Sequence, residues 1–361
     1  MLELDGSHGE GGGQIIRTAL ALSTLTGEPF RVTNIRKNRP QPGLKAQHLT
    51  AITALKEWCG AKSSDVAVGT EEFWYEPGAI RGGRFSFDVG TAGSITLVLQ
   101  ALLLPAMFAP KKVTFAITGG TCGKWQAPVE YFQNVLLPHL QRFASVGCRL
   151  LKRGYYPKGG GQVAVDITPR LPLKDFASCE AFTGQLGKTT RPFGLGTQGG
   201  LMQLKGISHA SRDLAPAKVA ERQAAAARSE LMERKAPVDI VPEYDEAPST
   251  GSGITLWARF NRDGEFHTIL GADALGERGK RAEDVGKEAA AALLRTIDSG
   301  AAVDAHLADQ LLPFAALLPG SVLSAEEITE HCRTNLWVIG QFLPVRFLVE
   351  GTTISVEATN K

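Results

Sequence analysis

The feature that most constrains the fold of this chain is an internal repeat. The first copy opens with a short strand that ends at Asp5, passes a glycine-rich loop and enters an apolar helix near Gln14. A second strand, a Pro/Gly loop and a second helix follow. The same order recurs about 83 residues later, from the strand that ends at Asp88. Such self-similarity indicates equivalent supersecondary units, each of which needs a neighbour to cover an apolar face.

A third copy is predicted near the C-terminus. Its glycine-rich loop would be GADALGERG, its first helix KRAEDVGKEAAAALLRTI and its second helix SAEEITEHCRTNLWVIGQFL. A stretch with an Ala-rich helix and strands of its own separates this copy from the second. The sequence therefore predicts an α/β fold (α+β layers). Its large domain would cover 1–180 and 276–361, and a small inserted α/β domain would cover 181–275.

Length, cysteine usage and hydropathy bound the class of protein. At 361 residues the chain suits two domains. Its five cysteines are an odd number without a C-x-x-C pair, which argues against a disulfide scaffold or a zinc site. The N-terminus has no apolar signal region, and the longest apolar run, around Ile95 to Pro110, is too short and too polar to span a bilayer. We expect a cytoplasmic protein without a membrane partner.

A glycine-rich loop precedes the first helix, in the segment HGEGGGQIIR from His8 to Arg17. Consecutive glycines let backbone N–H groups approach an anion, and the helix that begins near Gln14 points its positive end at the loop. The loop lacks the G-K-[ST] of a P-loop and does not fit G-x-G-x-x-G. Glu10 is a candidate metal ligand or orienting carboxylate. A structural turn, with Glu10 answering the helix dipole, is the alternative.

A basic stretch without any acidic residue covers 29–56. Within it, Arg36 and Arg39 lie in the loop before a helix whose first turns carry Lys45 and His48. Arginine pairs bind phosphates bidentately, and a helix N-terminus adds further donors. The pattern therefore favours phosphate recognition, with solvated loop charge as the alternative.

The last predicted helix carries the candidate nucleophile, His331. Ser324 and Glu327 fit an S-x-x-E capping box, which predicts the start of this helix. Glu327, His331 and Asn335 are four residues apart in turn, so they would share one face. On the local pattern alone, a surface histidine on an amphipathic helix is the alternative.

Two further segments are polar but locally uninformative. HLADQLL places His306, Asp309 and Gln310 together, which also fits the polar edge of a core helix. RGYYPKGGGQV, from Arg153 to Val163, combines an aromatic pair, a proline and three glycines before a strand. On its local chemistry this second segment is a tight strand-entry loop, to which we assign no ligand.

Together, these segments resemble the RNA 3'-terminal phosphate cyclase family. The matches span nearly the whole chain in the family's order: HGEGGGQIIR, IRKNRPQPGLKAQHL, GTAGSITLVLQ, RGYYPKGGGQV, GSGITLWARF, GADALGERGKRAEDVG, AAVDAHLADQLLP and EHCRTN. The resemblance implies a large domain of repeated βαβαββ-like units with a small inserted α/β domain. Cys122 and Lys124 depart from the family's pattern, in which Asp and Pro are usual there, whereas Trp125 fits it.

The resemblance also implies an activity, the ATP-dependent conversion of an RNA 3'-phosphate to a 2',3'-cyclic phosphate with release of AMP and pyrophosphate. His331 would be the nucleophile and would form a covalent histidine–AMP intermediate. Glu10 would help to hold a divalent metal, Mg²⁺ or Mn²⁺. Arg36, Arg39 and His48 would contact the phosphate of the RNA end. The remaining candidates would surround the ATP: Arg17, Gln100, Pro128, His306, Asp309 and Gln310.

Two alternatives from other classes are considered. One is a non-catalytic RNA-binding protein of ribosome assembly, from a branch that keeps the fold without the catalytic histidine; His331 favours the active branch. The other is a transferase of the enolpyruvyl type, which also uses repeated βαβαββ-like units and would give no covalent AMP. The expected partner is an RNA 3'-phosphate end, and the oligomeric state stays open, with a homodimer among the options.

Overall fold

The computed structural model describes residues 1–124 and 126–359, so Trp125 lies outside the described residues. The two predicted N-terminal copies are confirmed. The first unit consists of β1 (Leu2–Asp5), α1 (Gln14–Thr26), β2 (Phe30–Thr33), α2 (Ala46–Cys59), β3 (Lys62–Ser63) and β4 (Phe73–Glu76). The second consists of β5 (Gly83–Asp88), α3 (Ile95–Ala106), β6 (Val113–Gly119), α4 (Val129–Tyr131), a π-helical stretch (Phe132–Leu136), α5 (Leu137–Leu140), β7 (Ala144–Lys152) and β8 (Gly161–Pro169).

The two units share one sheet topology. In each, the first strand pairs in parallel with the second, and the fourth strand lies antiparallel between the second and the third. Counted within a unit, the strand order is therefore 1-2-4-3 in both sheets. Identical order and direction are what two copies of one βαβαββ unit must give.

After the second unit, α6 (Cys179–Thr189) and the short strand β9 (Gly194–Leu195) lead into an insert. The elements of the insert are β10 (Gly200–Ser211), α7 (Val219–Leu231), β11 (Val238–Asp245), β12 (Ser252–Arg262), β13 (Glu265–Leu275) and α8 (Ala282–Asp298). Its strands form a separate sheet in the order β11-β10-β12-β13, on which α7 and α8 pack side by side. Apolar side chains of both helices and of this sheet form a core separate from the large one.

The third unit is completed beyond the insert. Its remaining elements are α9 (Ala305–Ala315), β14 (Val322–Ser324), α10 (Glu330–Phe342), β15 (Val345–Glu350) and β16 (Thr353–Ala358). β9 pairs in parallel with β14, and β16 lies antiparallel between β14 and β15. The order 1-2-4-3 therefore occurs a third time, with its first strand and its first helix separated by the whole insert.

The packing at both ends of the insert differs from what the sequence-based boundaries would give. The predicted small domain at 181–275 took in most of α6, yet Phe182 and Leu186 of α6 lie in the large core. GADALGERG and the helix after it, predicted to open the third copy, belong instead to β13, the following turn and α8. The apolar stripe of α8 is buried against β12 and β13. We propose domain boundaries near Gly196 and Ser299.

The helices of the three units meet in the centre of the large core. α1 contacts α3 and α10, and α3 contacts α9. Every residue of α1 from Gln14 to Leu25 is buried, so its few polar side chains must find partners on these neighbouring helices. Among the described residues, none of the helices is long and apolar enough to cross a membrane.

Candidate active site

The glycine-rich loop lies directly before α1, whose first turn has no side-chain cap and no acidic residue. The loop packs against the first turn of α10, where the backbone N–H of Glu10 donates to Thr334 Oγ1 at 3.3 Å. Uncapped N–H groups at a helix start bind anions readily. The predicted anion-binding loop therefore lies beside the helix that carries His331.

His48 is a buried donor aimed at this loop. Its Nδ1 accepts a hydrogen bond from the backbone N–H of Lys45 at 3.0 Å, while its Nε2 has no partner among the described residues. Burial and three neighbouring cations hold the pKa of His48 well below its ordinary value, so the ring is neutral. A Cβ at Gly13 would lie 2.4 Å from that Nε2. The missing side chain of Gly13 therefore leaves the space into which the imidazole N–H points.

Other donors in the same region also lack partners. Within the described residues, the Nε atoms of Arg36 and Arg39 and the Nε2 of Gln14 are buried without a hydrogen bond. A buried N–H without a partner costs about 1–3 kcal/mol, so a cluster of them indicates a place for a bound acceptor. The arginine pair, Gln14 and His48 together fit the oxygens of a phosphate.

The charges around this cluster of donors also favour a bound anion. Burial, and then the charge of Arg39, lowers the pKa of Arg36. Burial lowers the pKa of Arg17 to about 10, and Arg36 adds to that shift while Asp309 opposes it. Glu10 pairs with Arg39 of this cluster. The excess of positive charge favours a multiply charged anion as the missing partner.

His331 is the second residue of α10, and the helix starts later than predicted. The capping box of Ser324 and Glu327 is wrong, because Ser324 pairs with Thr353 in the third sheet. The cap is Thr329, whose side chain accepts from the backbone N–H of Cys332 at 3.0 Å. Glu327 therefore precedes the helix and does not share a helical face with His331.

A carboxylate from another helix orients His331. Its Nδ1 lies 2.9 Å from Oδ2 of Asp309 on α9, and the imidazole is one-third exposed. Burial alone raises the pKa of Asp309, but hydrogen bonds and charges around it, those of His331 first, bring it below its ordinary value. An ionised Asp309 fixes the proton of the neutral imidazole on Nδ1. The lone pair of His331 is then on Nε2.

Two further side chains hold Asp309 in place. Asn335 Nδ2 donates to Asp309 Oδ1 at 2.5 Å, and Thr18 Oγ1 donates to Asn335 Oδ1 at 2.7 Å. Thr18 and Asn335 are both buried. A chain of hydrogen bonds thus runs from α1 through α10 to the carboxylate on α9, and it restricts Asp309 to one orientation. Sequence reasoning did not identify the role of Thr18.

The remaining predicted nucleotide residues are partly brought together. Gln100, Asp309 and Gln310 line one small cavity of about 40 Å³, and Arg17 Nε donates to Gln100 Oε1 at 2.7 Å. Pro128 is buried before α4 and does not line this cavity. His306 is exposed and lines a different cavity, although it is on the same helix as Asp309.

Comparison with known proteins decides the family. Residues 8–349 match the model of the family described as RNA 3'-terminal phosphate cyclase. The chain belongs to this family. Among similar proteins named RNA 3'-terminal phosphate cyclase, that of Pyrococcus furiosus is 46% identical over 97% of this chain and 96% of its own length. That of Archaeoglobus fulgidus is 44% identical over 99% of this chain and 100% of its own length.

In this RNA 3'-terminal phosphate cyclase family member, one motif quoted from the sequence lies at the junction between the insert and the large domain. This motif is RGYYPKGGGQV, to which no ligand was assigned, and it has a structural role. Its Arg153 is buried and pairs with Glu130 of the second unit and with Glu243 and Asp245 of the insert. This ion cluster joins the insert to the large domain. Sequence reasoning missed it, because its carboxylates are about 23 and 90 residues away.

A buried carboxylate near His306 gives a prediction about stability. Burial raises the pKa of Asp273 to about 6; His306 opposes this shift, and Asp304 and Glu288 add to it. Because the folded pKa lies above the unfolded one, ionising Asp273 destabilises the fold. The penalty is absent below about pH 4 and complete above about pH 6, where it reaches up to about 3 kcal/mol.

Asp273→Asn should therefore raise the free energy of unfolding in urea at pH 7.5, and the gain should shrink towards pH 4.5. Asp298→Asn, at an exposed carboxylate paired with Arg234, is the control. A loss of stability in Asp273→Asn at pH 7.5 would contradict the assignment.

Proposed function

We propose that the chain converts RNA 3'-phosphate ends to 2',3'-cyclic phosphates in an ATP-dependent reaction that proceeds through AMP bound to His331 Nε2. One observation carries the proposal. The hydrogen bond from His331 Nδ1 to Asp309 leaves the lone pair of Nε2 available to attack a phosphorus atom. The histidine lies at a helix start that packs against a loop surrounded by unpartnered donors. A nucleophile beside an anion site is what nucleotidyl transfer requires.

In the first step, the lone pair of Nε2 attacks the α-phosphorus of ATP, a P–N bond forms, and the bond to pyrophosphate breaks. Asp309 stabilises the positive charge that develops on the ring. Arg17 and the N–H groups of the glycine-rich loop stabilise the negative charge on the phosphates. The cavity at Gln100 and Gln310 is too small for a purine, so the base would lie across its mouth.

In the second step, an oxygen of the RNA 3'-phosphate takes the adenylyl group from Nε2, which regenerates His331. The 2'-hydroxyl then attacks the activated phosphorus, AMP leaves, and the cyclic ester closes. Arg36, Arg39 and His48 hold the phosphate through both events. The ring closure is intramolecular, so orientation of the end supplies much of its rate.

The metal proposal rests on Glu10. Over the described residues, no group of three or more His, Cys, Asp or Glu side chains is arranged to hold an ion. Mg²⁺ and its substitutes commonly take one or two carboxylates, with phosphate oxygens and water as the other ligands. Glu10 can supply one oxygen once Arg39 turns to a phosphate. When bound, a divalent ion such as Mg²⁺ or Mn²⁺ would neutralise charge on the leaving pyrophosphate.

One experiment tests the activity as a whole. The pure protein is incubated with α-labelled ATP and a 3'-phosphorylated oligoribonucleotide, and protein-bound AMP and cyclic ends are both measured. We expect an acid-labile, base-stable adduct, as a phosphoramidate gives, and a product resistant to phosphatase. RNA binding without either product would support the ribosome-assembly alternative. Absence of RNA binding and of adduct would favour the enolpyruvyl-type alternative.

The phosphate site gives a separate prediction. Arg36→Gln should lower kcat/KM for a 3'-phosphorylated RNA by about 10- to 100-fold, because a charge-assisted hydrogen bond to phosphate is worth about 1.5–3 kcal/mol. The thermal stability of the unliganded protein should not fall, since the change relieves repulsion from Arg39. Arg31→Gln, which removes an exposed arginine paired with Glu72, is the matched control. Equal kinetics for both variants would return Arg36 to the role of a solvated loop charge.

A further inference from the structure

A long groove begins between the insert and the large domain and continues over the surface of the insert. It consists of two adjoining cavities of about 610 and 660 Å³, which share the five residues Thr250, Gly251, Ser252, Gly276 and Glu277. One wall is the loop around Lys124 and the segment around Tyr156, both of the second unit. The other wall is the turn between β13 and α8 together with the start of α7. None of the residues assigned above to nucleotide or to phosphate lines this groove.

The charged side chains along the groove are mostly cationic. One carboxylate, that of Glu277, is set against five cations: Lys124, Arg222, Arg278, Lys280 and Arg281. Four of these cations pair with surface carboxylates, whereas Arg278 is exposed and makes no ion pair with a described residue. Single-contact surface pairs such as that of Lys124 contribute little to stability, whereas Arg222 holds Glu283 through two hydrogen bonds of 2.8 Å. The charge of the groove suits a polyanion.

Tyr156 presents an aromatic ring at the edge of the groove. It is 80% exposed. The backbone on both sides of it is held to the insert: Tyr155 Oη lies 2.9 Å from His209 Nδ1, and the backbone N–H of Lys158 donates to Ser249 Oγ at 3.1 Å. An exposed aromatic ring in a cationic groove is the arrangement on which single-stranded nucleic acids stack their bases.

The loop at 90–94 lies between the groove and α2, the helix that carries His48 of the proposed phosphate site. A Cβ at Gly159 would lie 2.4 Å from the carbonyl oxygen of Thr91, so the tyrosine segment packs closely on the loop at 90–94. Ala92 of that loop lines the groove, and its neighbour Gly93 lies against the side chain of Gln47. Gln47 adjoins His48 in sequence. A strand that ends at His48 can therefore pass over this loop and enter the groove.

We propose that the groove binds the single-stranded RNA 5' to the reacting end, with a base stacked on Tyr156 and backbone phosphates near Arg278. This inference rests on the proposed function, because it assumes that the 3'-phosphate binds at His48. The groove would select for long, single-stranded RNA. The small site at His331 would contact only the 3' end of that RNA.

The test compares a 3'-phosphorylated dinucleotide with a 3'-phosphorylated dodecanucleotide, in binding and in cyclisation. Tyr156→Ala should weaken binding of the dodecanucleotide by about 10-fold, as expected for the loss of one stacked base. It should leave binding and cyclisation of the dinucleotide unchanged, and also the labelling of His331 by ATP. Tyr156→Phe keeps the ring and should behave as the unmodified protein. Arg278→Glu should also weaken binding of the longer RNA and reduce its salt dependence.

Arg346→Glu, at an exposed arginine on β15, makes the same charge change away from the groove and is the control. Equal losses for the two RNA lengths, or no loss of dodecanucleotide affinity in Tyr156→Ala, would overturn the proposal. So would an equal effect of Arg346→Glu. Failure of the proposed function is recognised separately, because the unmodified protein would then not become labelled with AMP. The binding comparison would still decide whether RNA occupies the groove.

Discussion

Replacing His331 with alanine should abolish transfer of AMP from α-labelled ATP to the protein, with a loss of cyclisation on the order of 10⁴-fold or more. The reason is chemical, because the hydrogen bond to Asp309 orients the imidazole of His331 and leaves the lone pair of its Nε2 available for attack. His331 is one-third exposed, so its removal should leave the melting temperature nearly unchanged. RNA affinity should also persist, since the phosphate donors belong to other elements.

Glu330→Gln is the matched control, because it changes the preceding residue in the first turn of α10 and affects only a surface contact with Arg333. It should keep both labelling and cyclisation. Labelled AMP that survives His331→Ala would sink the nucleophile assignment. A useful refinement is pre-adenylylated RNA: if His331 serves only the first step, His331→Ala should still close the ring of an RNA that carries the activated end.

Asp309→Asn should slow adenylylation by about 10²- to 10⁴-fold, although the variant keeps nearly the same shape. Asn335 Nδ2 donates to one oxygen of Asp309, so an amide at 309 would keep its oxygen there. Its NH₂ group would then face His331 Nδ1. The imidazole would have to accept at Nδ1 and carry its proton on Nε2, where the lone pair is needed.

This prediction is measured as the pH dependence of the single-turnover labelling rate. A general loss of structure would depress the rate at all pH values and lower the melting temperature, whereas the wrong tautomer leaves the fold intact. Asn335→Ala should give an intermediate loss, because it frees Asp309 without removing its charge. An Asp309→Asn variant that labels at the normal rate would show that the carboxylate does not set the tautomer.

Much of the fold could be predicted from the sequence, because the repeat consists of short patterns of neighbouring residues that can be recognised one by one. Glycine loops, apolar helices and strands recur in order, and the first two units were placed correctly. The third was placed in part: its second helix was predicted, but its first strand, Gly194–Leu195, was not, since it has two residues and is separated from its helix by the insert. The amphipathic pattern of α8 does not tell which of two sheets the helix will cover. Only tertiary packing decides that.

The site was predictable as a set of residues but not as an arrangement. The basic loop, the glycine-rich loop and His331 could be named from residue type and spacing. The partner of His331 could not, because Asp309 lies on a different helix and local spacing favoured Glu327. The same holds for Thr18, which looks like an ordinary residue of an apolar helix. Contacts between helices of different units cannot be predicted from the spacing of residues along one helix.

The topology shared by the three units distributes the proposed site over all of them. The first unit contains Arg17 and His48, the second Gln100, and the third Asp309 and His331. Under the proposed function, no unit carries both the nucleophile and the groups that bind the phosphates. A single unit cut from the chain would therefore lack part of the site, although the three units have the same strand order.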